Sequence, residues 1–111
     1  MSMPNMQGML KQVQKLQEKM AQVQAELEQK TVSADSGGGM VKVTVNGKQQ
    51  LVSISMEKEV VDPAGIDMLE DLIVAAVNKG LEESRRMATE EMNKVTAGAL
   101  PRIPGLNLPG M

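Results

Sequence analysis

Residues 40–56 alternate apolar and polar side chains on both sides of the pair Asn46-Gly47. Alternation with a period of two is typical of a β-strand with one buried face, because successive side chains point to opposite sides. Asn-Gly favours the two-residue type I′ turn of a hairpin, which needs positive φ at both central residues. The pattern therefore predicts an antiparallel hairpin in which Val41 lies opposite Val52.

The predicted hairpin has one apolar and one polar face. The apolar face is expected to carry Val41, Val43, Val45, Val52, Ile54 and Met56. The other face carries Lys42, Thr44, Gln49, Ser53 and Ser55, with Met40 and Leu51 as its only apolar members. An apolar face needs cover, and the long helical stretches on either side of the hairpin are expected to provide it.

Before the hairpin, residues 1–30 show the periodicity of a helix, with Asn5 as its expected cap. Apolar residues recur at alternating spacings of three and four, at Met6, Met9, Val13, Leu16, Met20, Val23 and Leu27. We call these seven residues the apolar seam. Such a narrow a/d stripe is typical of a coiled coil. The helix is long enough to project beyond a small sheet, and it is expected to pair with another helix.

A second long helix is predicted from about residue 67 to residue 96, with Gly98 just past its end. Its first half is densely apolar and is expected to lie on the hairpin. Its second half is thinly apolar and is expected to be solvated or paired with another helix. Charged pairs at i,i+4 spacing are expected to be Glu82 with Arg86 and Glu90 with Lys94.

A short first strand at 31–36 and a turn at Gly37–Gly39 complete the predicted order. The expectation is an α+β fold with a long N-terminal helix, a three-stranded antiparallel sheet around the Asn-Gly hairpin and a long C-terminal helix. Residues 1–98 are expected to form a single domain. Residues 99–111 are rich in Pro and Gly and are predicted to form a flexible C-terminal tail.

Composition limits the chemistry that the chain can perform. It has 111 residues, 11 of them Met, and contains no aromatic residue, no Cys and no His. This excludes disulfides, thiolate nucleophiles, His-based acid and base catalysis and the usual zinc sites. No catalytic constellation is visible. We therefore expect a protein that is not an enzyme and uses no metal, cofactor or small-molecule substrate.

The same composition bears on assembly and location. A chain this short, with a core of Val, Leu, Ile, Ala and Met, buries only a modest amount of apolar surface. We expect a second copy of the chain to add burial. No apolar run approaches the roughly 20 residues of a membrane span, and the start of the chain lacks a signal-peptide core. The expectation is a cytosolic protein without a membrane partner.

The net charge of −2 is distributed unevenly. Lys11, Lys15 and Lys19 recur every four residues, which places them on one face of the first helix, away from the apolar seam. A second cluster is Arg85 and Arg86, with Lys79 one to two turns earlier. These six residues are the candidate contacts to DNA phosphates. The alternative for the lysine row is an ordinary solvated helix face.

Several motifs in combination resemble those of the YbaB/EbfC family of bacterial nucleoid-associated proteins. They are the run Gly37–Gly47, Val-Ser-Ile at 52–54, Val-Val-Asp-Pro at 60–63 and the run Met68–Asn78. The resemblance covers nearly the whole chain. It implies a homodimer whose sheets join at the centre while long helices project like the arms of tweezers. It also implies binding of double-stranded DNA in the nucleoid, with a role in nucleoid organisation and gene regulation and no enzymatic activity.

The resemblance supplies no well-defined motif for the residues that contact DNA. The dimer interface is therefore assigned on physical grounds to Val41, Val43, Val52, Ile54, Leu72 and Ala76. Sequence leaves open any base preference, the helix that contacts DNA, the register of the two subunits and their higher assembly.

An alternative of another class stays open. Prefoldin-type holdase chaperones also have two helices that flank β-hairpins. A protein-interaction adaptor is a further alternative, because no feature of the sequence excludes it. A prefoldin arm needs a sustained heptad in the second helix. Here the pattern after Gly80 is sparse, which favours a helix packed on a sheet.

Overall fold

A computed structural model describes residues 6–99 and shows two long helices around a three-stranded sheet. The elements are α1 (Met6–Gln29), β1 (Thr31–Ser36), β2 (Val41–Asn46), β3 (Leu51–Met56) and α2 (Ile66–Ala99). The sheet is antiparallel with the order β1-β2-β3, so β2 is central. Short 3₁₀ turns lie at Gly37–Gly39, Lys58–Val60 and Pro63–Gly65. The predicted α+β fold is confirmed.

The hairpin is antiparallel as predicted, but the predicted turn type and the predicted strand register are wrong. Val41 lies opposite Met56, four residues from the predicted partner Val52. The connection is a longer loop, in which the left-handed residue is Gln49 with φ 63°. A shift of four residues is even, so the side chains keep their predicted faces.

A β-bulge makes one local exception to this alternation. Thr44 pairs with Ser53 but Val45 pairs with Leu51, so Val52 is an extra residue on β3. Directly opposite residues share a face, so Leu51 joins the face of Val45 instead of the polar face predicted for it.

The end of α1 explains why the loop departs from a simple turn. The Gly47 N–H donates to the carbonyl of Leu27 (2.8 Å), in the last turn of α1, and to that of Lys30 (2.9 Å), just past the end of the helix. Carbonyls at a helix end lack intrahelical partners. A β-carbon on Gly47 would lie 2.7 Å from the Leu27 carbonyl oxygen. Glycine is therefore needed at position 47 because the loop approaches α1 closely there. It is not needed for a left-handed backbone conformation, which Gly47 does not adopt.

Helix α2 covers two strands of the sheet and not the third. Its sheet-facing residues, with those of β1, β2 and the 3₁₀ turn at Lys58–Val60, form the core of Ala34, Val41, Val43, Val45, Val60, Leu69 and Ala76. Gly80 allows the close approach, because a β-carbon there would lie 2.8 Å from Val45 Cγ2. All six residues of β3 are exposed. The prediction that α2 covers the hairpin is thus correct for β2 and wrong for β3.

Both helices leave the sheet at the same end. The Ser36 hydroxyl donates to the Leu72 carbonyl (2.6 Å) at one end, and the Ser84 hydroxyl donates to the Asn46 carbonyl (2.6 Å) at the other. α2 then continues past Asn46, while α1 returns to the sheet beside that residue and packs against α2. The two helices form an antiparallel arm, and the whole measures 80 × 28 × 16 Å.

The apolar seam of α1 pairs with α2 along only part of its length. Leu27 is buried, and Leu16, Met20 and Val23 are half-buried. The rest of the seam is exposed: Met6 56%, Met9 63% and Val13 51%. Burial of the apolar seam is therefore confined to the part of α1 nearer the sheet.

The ends of the helices differ from the sequence expectations in detail. α2 begins at Ile66, after Asp62 Oδ1 accepts the Ala64 N–H at 3.0 Å, and it continues through Gly98 to Ala99. Gly98 is therefore within the helix. The predicted Asn5 cap and residues 100–111 of the predicted tail lie outside the described residues.

Candidate nucleic-acid interface

The lysine row is an exposed line of cations on the arm. Lys11, Lys15 and Lys19 are all exposed on α1. At 1.5 Å per residue, neighbouring members lie about 6 Å apart along the helix axis. The row faces away from the apolar seam, so pairing of α1 with α2 leaves it open to solvent.

Local charge in this part of the arm is opposite to that of the whole chain. Residues 6–19 contain three lysines and one acid, Glu18, which gives a net charge of +2 against −2 for the chain. A local positive field can attract a polyanion even when the total charge is negative. The outer half of α1 is therefore the electrostatically favourable surface for phosphate.

The other predicted cations lie apart from this row. Lys79, Arg85 and Arg86 are exposed on α2. Lys79 adjoins Gly80, which packs on the sheet, and Arg86 is ion-paired with Glu83. The structure thus does not bring the six predicted DNA contacts together in one cluster.

The separation can be estimated from one ion pair that joins the end of the first helix region to α2. Lys30 Nζ lies 3.2 Å from Glu91 Oε2. Lys19 is eleven residues up the arm from Lys30, and Arg86 is five residues down α2 from Glu91. At 1.5 Å per residue, Lys19 and Arg86 are about 24 Å apart along the arm.

Glu91 lies between Lys30 and Lys94, neither of which was among the predicted DNA contacts. Lys94 Nζ lies 3.3 Å from Glu91 Oε1, and Lys30 contacts the other oxygen. Hydrogen bonds from Lys30 and from Lys94 hold the pKa of the Glu91 carboxyl below its ordinary value. The Lys94 contact is visible as local spacing, whereas the Lys30 contact joins two helices and leaves no local signal.

The charged pairs on α2 use a spacing of three residues. The structure pairs Glu83 with Arg86 and Glu91 with Lys94. The predicted pairs, Glu82 with Arg86 and Glu90 with Lys94, are therefore wrong in their acidic partner. Either spacing places the two side chains on neighbouring turns.

The six residues assigned to the dimer interface divide into two groups. Val41, Val43 and Ala76 are buried in the core of the single chain, and Leu72 is half-buried beside Gly37. Val52 and Ile54 are exposed, at 57% and 39%. In this conformation β3 supplies the accessible part of the predicted interface.

The apolar surface of β3 is larger than these two residues. Leu51 (43%) and Met56 (42%) are also exposed, and so are Ile66 and Val74 on α2. An edge strand with open backbone groups and apolar side chains is a template for pairing with another strand. This surface is distinct from the lysine row, which lies on the arm.

Two further features of the described residues bear on other types of site. Within residues 6–99, no group of three or more Asp or Glu side chains is arranged to hold a metal ion. Over the same residues, neither α1 nor α2 has the length and apolar character of a membrane-spanning helix.

Comparison with known proteins identifies relatives over nearly the whole chain. A family model described as the YbaB/EbfC DNA-binding family matches residues 3–100. A nucleoid-associated protein of Syntrophobacter fumaroxidans is 54% identical over 102 residues, covering 92% of this chain and 91% of the relative. A nucleoid-associated protein of Alkaliphilus metalliredigens is 50% identical over 103 residues, covering 93% and 89%.

A solved structure shares the fold at low sequence identity. The crystal structure of an uncharacterized protein from Helicobacter pylori superposes with a TM-score of 0.59 at 19% identity, covering 70% of this chain and 90% of that one. This likeness supports the fold alone. The family match, by contrast, favours DNA binding over the chaperone and adaptor alternatives.

Proposed function

The chain belongs to the YbaB/EbfC family of DNA-binding, nucleoid-associated proteins, and from this premise we propose that it binds double-stranded DNA as a homodimer, largely through phosphate contacts. The proposed role is organisation of the nucleoid and regulation of genes within the cytoplasm. The family is one of DNA-binding proteins and not of enzymes.

The observation that carries this proposal is the exposed row of Lys11, Lys15 and Lys19 on a projecting arm. Lysine is a flexible point charge that suits phosphate contact without bidentate base recognition. Phosphate contacts position a protein on the duplex but read little sequence. The described residues also lack aromatic side chains for base stacking, since the chain contains none.

The homodimer part of the proposal rests on β3. Its exposed residues Leu51, Val52, Ile54 and Met56 present apolar surface next to an unpaired strand edge. Association through this strand would bury that surface and would place one arm on each side of the dimer. Each dimer would then present two lysine rows to a duplex.

Binding to a labelled random-sequence duplex, titrated with salt, tests the proposal. Each neutralised phosphate contributes a slope of about −0.9 to the plot of log K against log salt. Two rows of three lysines predict a slope no steeper than about −5. Binding that does not change between about 50 and about 200 mM salt would contradict phosphate contact.

A triple variant, Lys11→Gln with Lys15→Gln and Lys19→Gln, tests the site itself. We expect DNA affinity to fall at least about tenfold, because six cations are removed from the dimer. The matched control changes three sheet and loop lysines, Lys42→Gln with Lys48→Gln and Lys58→Gln, and should retain most of the affinity. An equal loss in the two variants would show that only total charge matters.

A further inference from the structure

The outer end of the apolar seam on α1 has no partner within the described residues. Met6, Met9 and Val13 are exposed at 51% or more, while the seam residues nearer the sheet are half-buried or buried. The exposed part extends over eight residues, or about 10 Å along the helix. It is an apolar stripe at the far end of the arm.

α2 ends before it reaches the exposed stripe of α1. The pair Lys30–Glu91 places these two residues at the same level of the antiparallel arm. From Glu91 to Ala99, α2 rises about 12 Å, which corresponds to Gln22 on α1. Val13 and Met9 therefore lie about 14 and about 20 Å beyond the end of α2.

The chain continues from this point with residues 100–111, which lie outside the described residues. We call them the segment 100–111. It contains five large apolar residues, Leu100, Ile103, Leu106, Leu108 and Met111, and one charged side chain, Arg102. Residues 100–106 can span at most about 25 Å when extended. Leu106 can therefore reach Met9 from the end of α2.

We infer that the segment 100–111 docks on the exposed seam of α1, at Met6, Met9 and Val13, and continues the cover that α2 provides nearer the sheet. Proline at positions 101, 104 and 109 excludes a regular helix but is compatible with an extended segment lying along a helix groove. The inference concerns packing of the arm and does not depend on DNA binding.

The segment 100–111 of the same chain is favoured over a second copy of the chain as the partner of the exposed seam. A segment joined through a short linker is present at millimolar effective concentration. A second α1 would pair with the stripe over only two helical turns, which is far shorter than a stable coiled coil. The docked segment would leave Lys11 and Lys15 free, because they lie on another face of α1.

The lack of aromatic residues makes a direct test possible. In the full-length variant Leu106→Trp the tryptophan is the only aromatic fluorophore. Docking should shift its emission to shorter wavelength and reduce quenching by iodide several-fold relative to a free indole. Leu108→Trp serves as a second reporter, so that disruption of one anchor by the larger side chain does not decide the result.

The seam is then changed in the background of each reporter. Met9→Asp with Val13→Asp should return emission and quenching to the values of an exposed indole. The matched control, Gln7→Asp with Gln14→Asp, adds the same two charges to α1 off the seam and should keep the shifted emission. Circular dichroism checks that all variants retain their helix content.

Three results would overturn the inference. The first is exposed emission from both reporters before the seam is changed. The second is a shifted emission that the seam variant leaves unaltered, since the segment would then dock elsewhere. The third is a shift that disappears on hundredfold dilution, since the occupant would then come from a second copy.

Discussion

Asn46 connects three parts of the molecule through its hydrogen bonds. Its side-chain oxygen accepts the N–H groups of Lys48 (2.9 Å) and Gln50 (3.1 Å), which orders the loop. Its carbonyl accepts from Gln49 and from the Ser84 hydroxyl of α2. A residue selected from sequence as a turn former therefore also fixes α2 on the sheet.

Ser84 is fully buried, and its hydroxyl is the α2 side of this connection. Ser84→Ala removes a buried hydrogen bond worth about 1–1.5 kcal/mol and gains about 0.5 kcal/mol of helix propensity. We expect a net loss of about 0.5–1 kcal/mol in the free energy of unfolding. Thermal denaturation should show a Tm lower by about 2–8 °C.

The control for Ser84 is Asn78→Ala on the exposed face of the same helix. This substitution gains helix propensity without removing a buried contact, so it should leave stability unchanged or raise it by about 0.5 kcal/mol. A Ser84→Ala variant as stable as Asn78→Ala would show that the hydroxyl contact contributes nothing.

Among the elements, the strands show both the strength and the limit of sequence reasoning. Alternation correctly identified β2 and β3 and the face of every residue except those beside the bulge. The register depends on the loop, and the loop depends on the contact of Gly47 with the end of α1. Local turn preferences carry no information about such a contact, so the type I′ turn was predicted wrongly.

The arm of α1 and α2 is joined by the carboxylate of Glu91. Its pKa is lower in the folded chain than the ordinary value of 4.5, so the ionised form stabilises the fold. This contribution is complete above the unfolded value and is lost as the pH falls through it toward the folded pKa. Glu91→Gln should therefore lower the Tm at about pH 7, and the difference in Tm should shrink progressively as the pH falls below 4.5.

The comparison for Glu91 is its exposed neighbour in Glu90→Gln, which makes the same change in charge. Its Tm should follow the unsubstituted protein at neutral pH, because the Glu91 contacts remain. Two variants with the same pH profile would mean that net charge is responsible instead of the bridge between the helices.

Strand β3 is the element to which we assign dimerisation. Ile54 lies opposite the buried Val43 yet is itself 39% exposed. Ile54→Lys should place an unpaired charge in the apolar contact and convert the dimer to a monomer at micromolar concentration. Sedimentation velocity measures the change directly.

Ser53→Lys provides the matched control, since Ser53 is a neighbour on the polar face opposite Thr44. It should sediment as a dimer. Dissociation of both variants would indicate that the partner strand pairs with the β3 edge without using the apolar face.

At the scale of the whole molecule, the proposed DNA-binding lysine row and the proposed dimer interface on β3 lie on separate surfaces. The interface affects DNA binding because it brings two lysine rows into one dimer. A monomer carries one lysine row and a dimer carries two. The Ile54→Lys variant should therefore bind DNA more weakly, with a salt slope about half that of the unsubstituted protein. An unchanged slope in a monomeric variant would show that a single arm makes all the phosphate contacts.

The candidate site was predictable to different degrees. The spacing of Lys11, Lys15 and Lys19 was enough to place them on one exposed face. Their distance from Arg86 was not predictable, because it depends on how α1 and α2 align through Lys30 and Glu91. The interface residues Val41 and Val43 were assigned correctly to an apolar face on which α2 was expected to lie. Sequence could not tell that α2 buries them completely while it leaves β3 exposed.

The exposed strand β3 has a consequence for the chain before it finds a partner. Its sequence, Leu-Val-Ser-Ile-Ser-Met, has no charge and no proline to deter addition of further strands. A lone copy therefore presents an aggregation-prone edge, and slow association would favour fibrous assembly over the folded complex. A charged residue in this strand acts as a gatekeeper, so the same Ile54→Lys change that separates the subunits should keep the separated chain soluble.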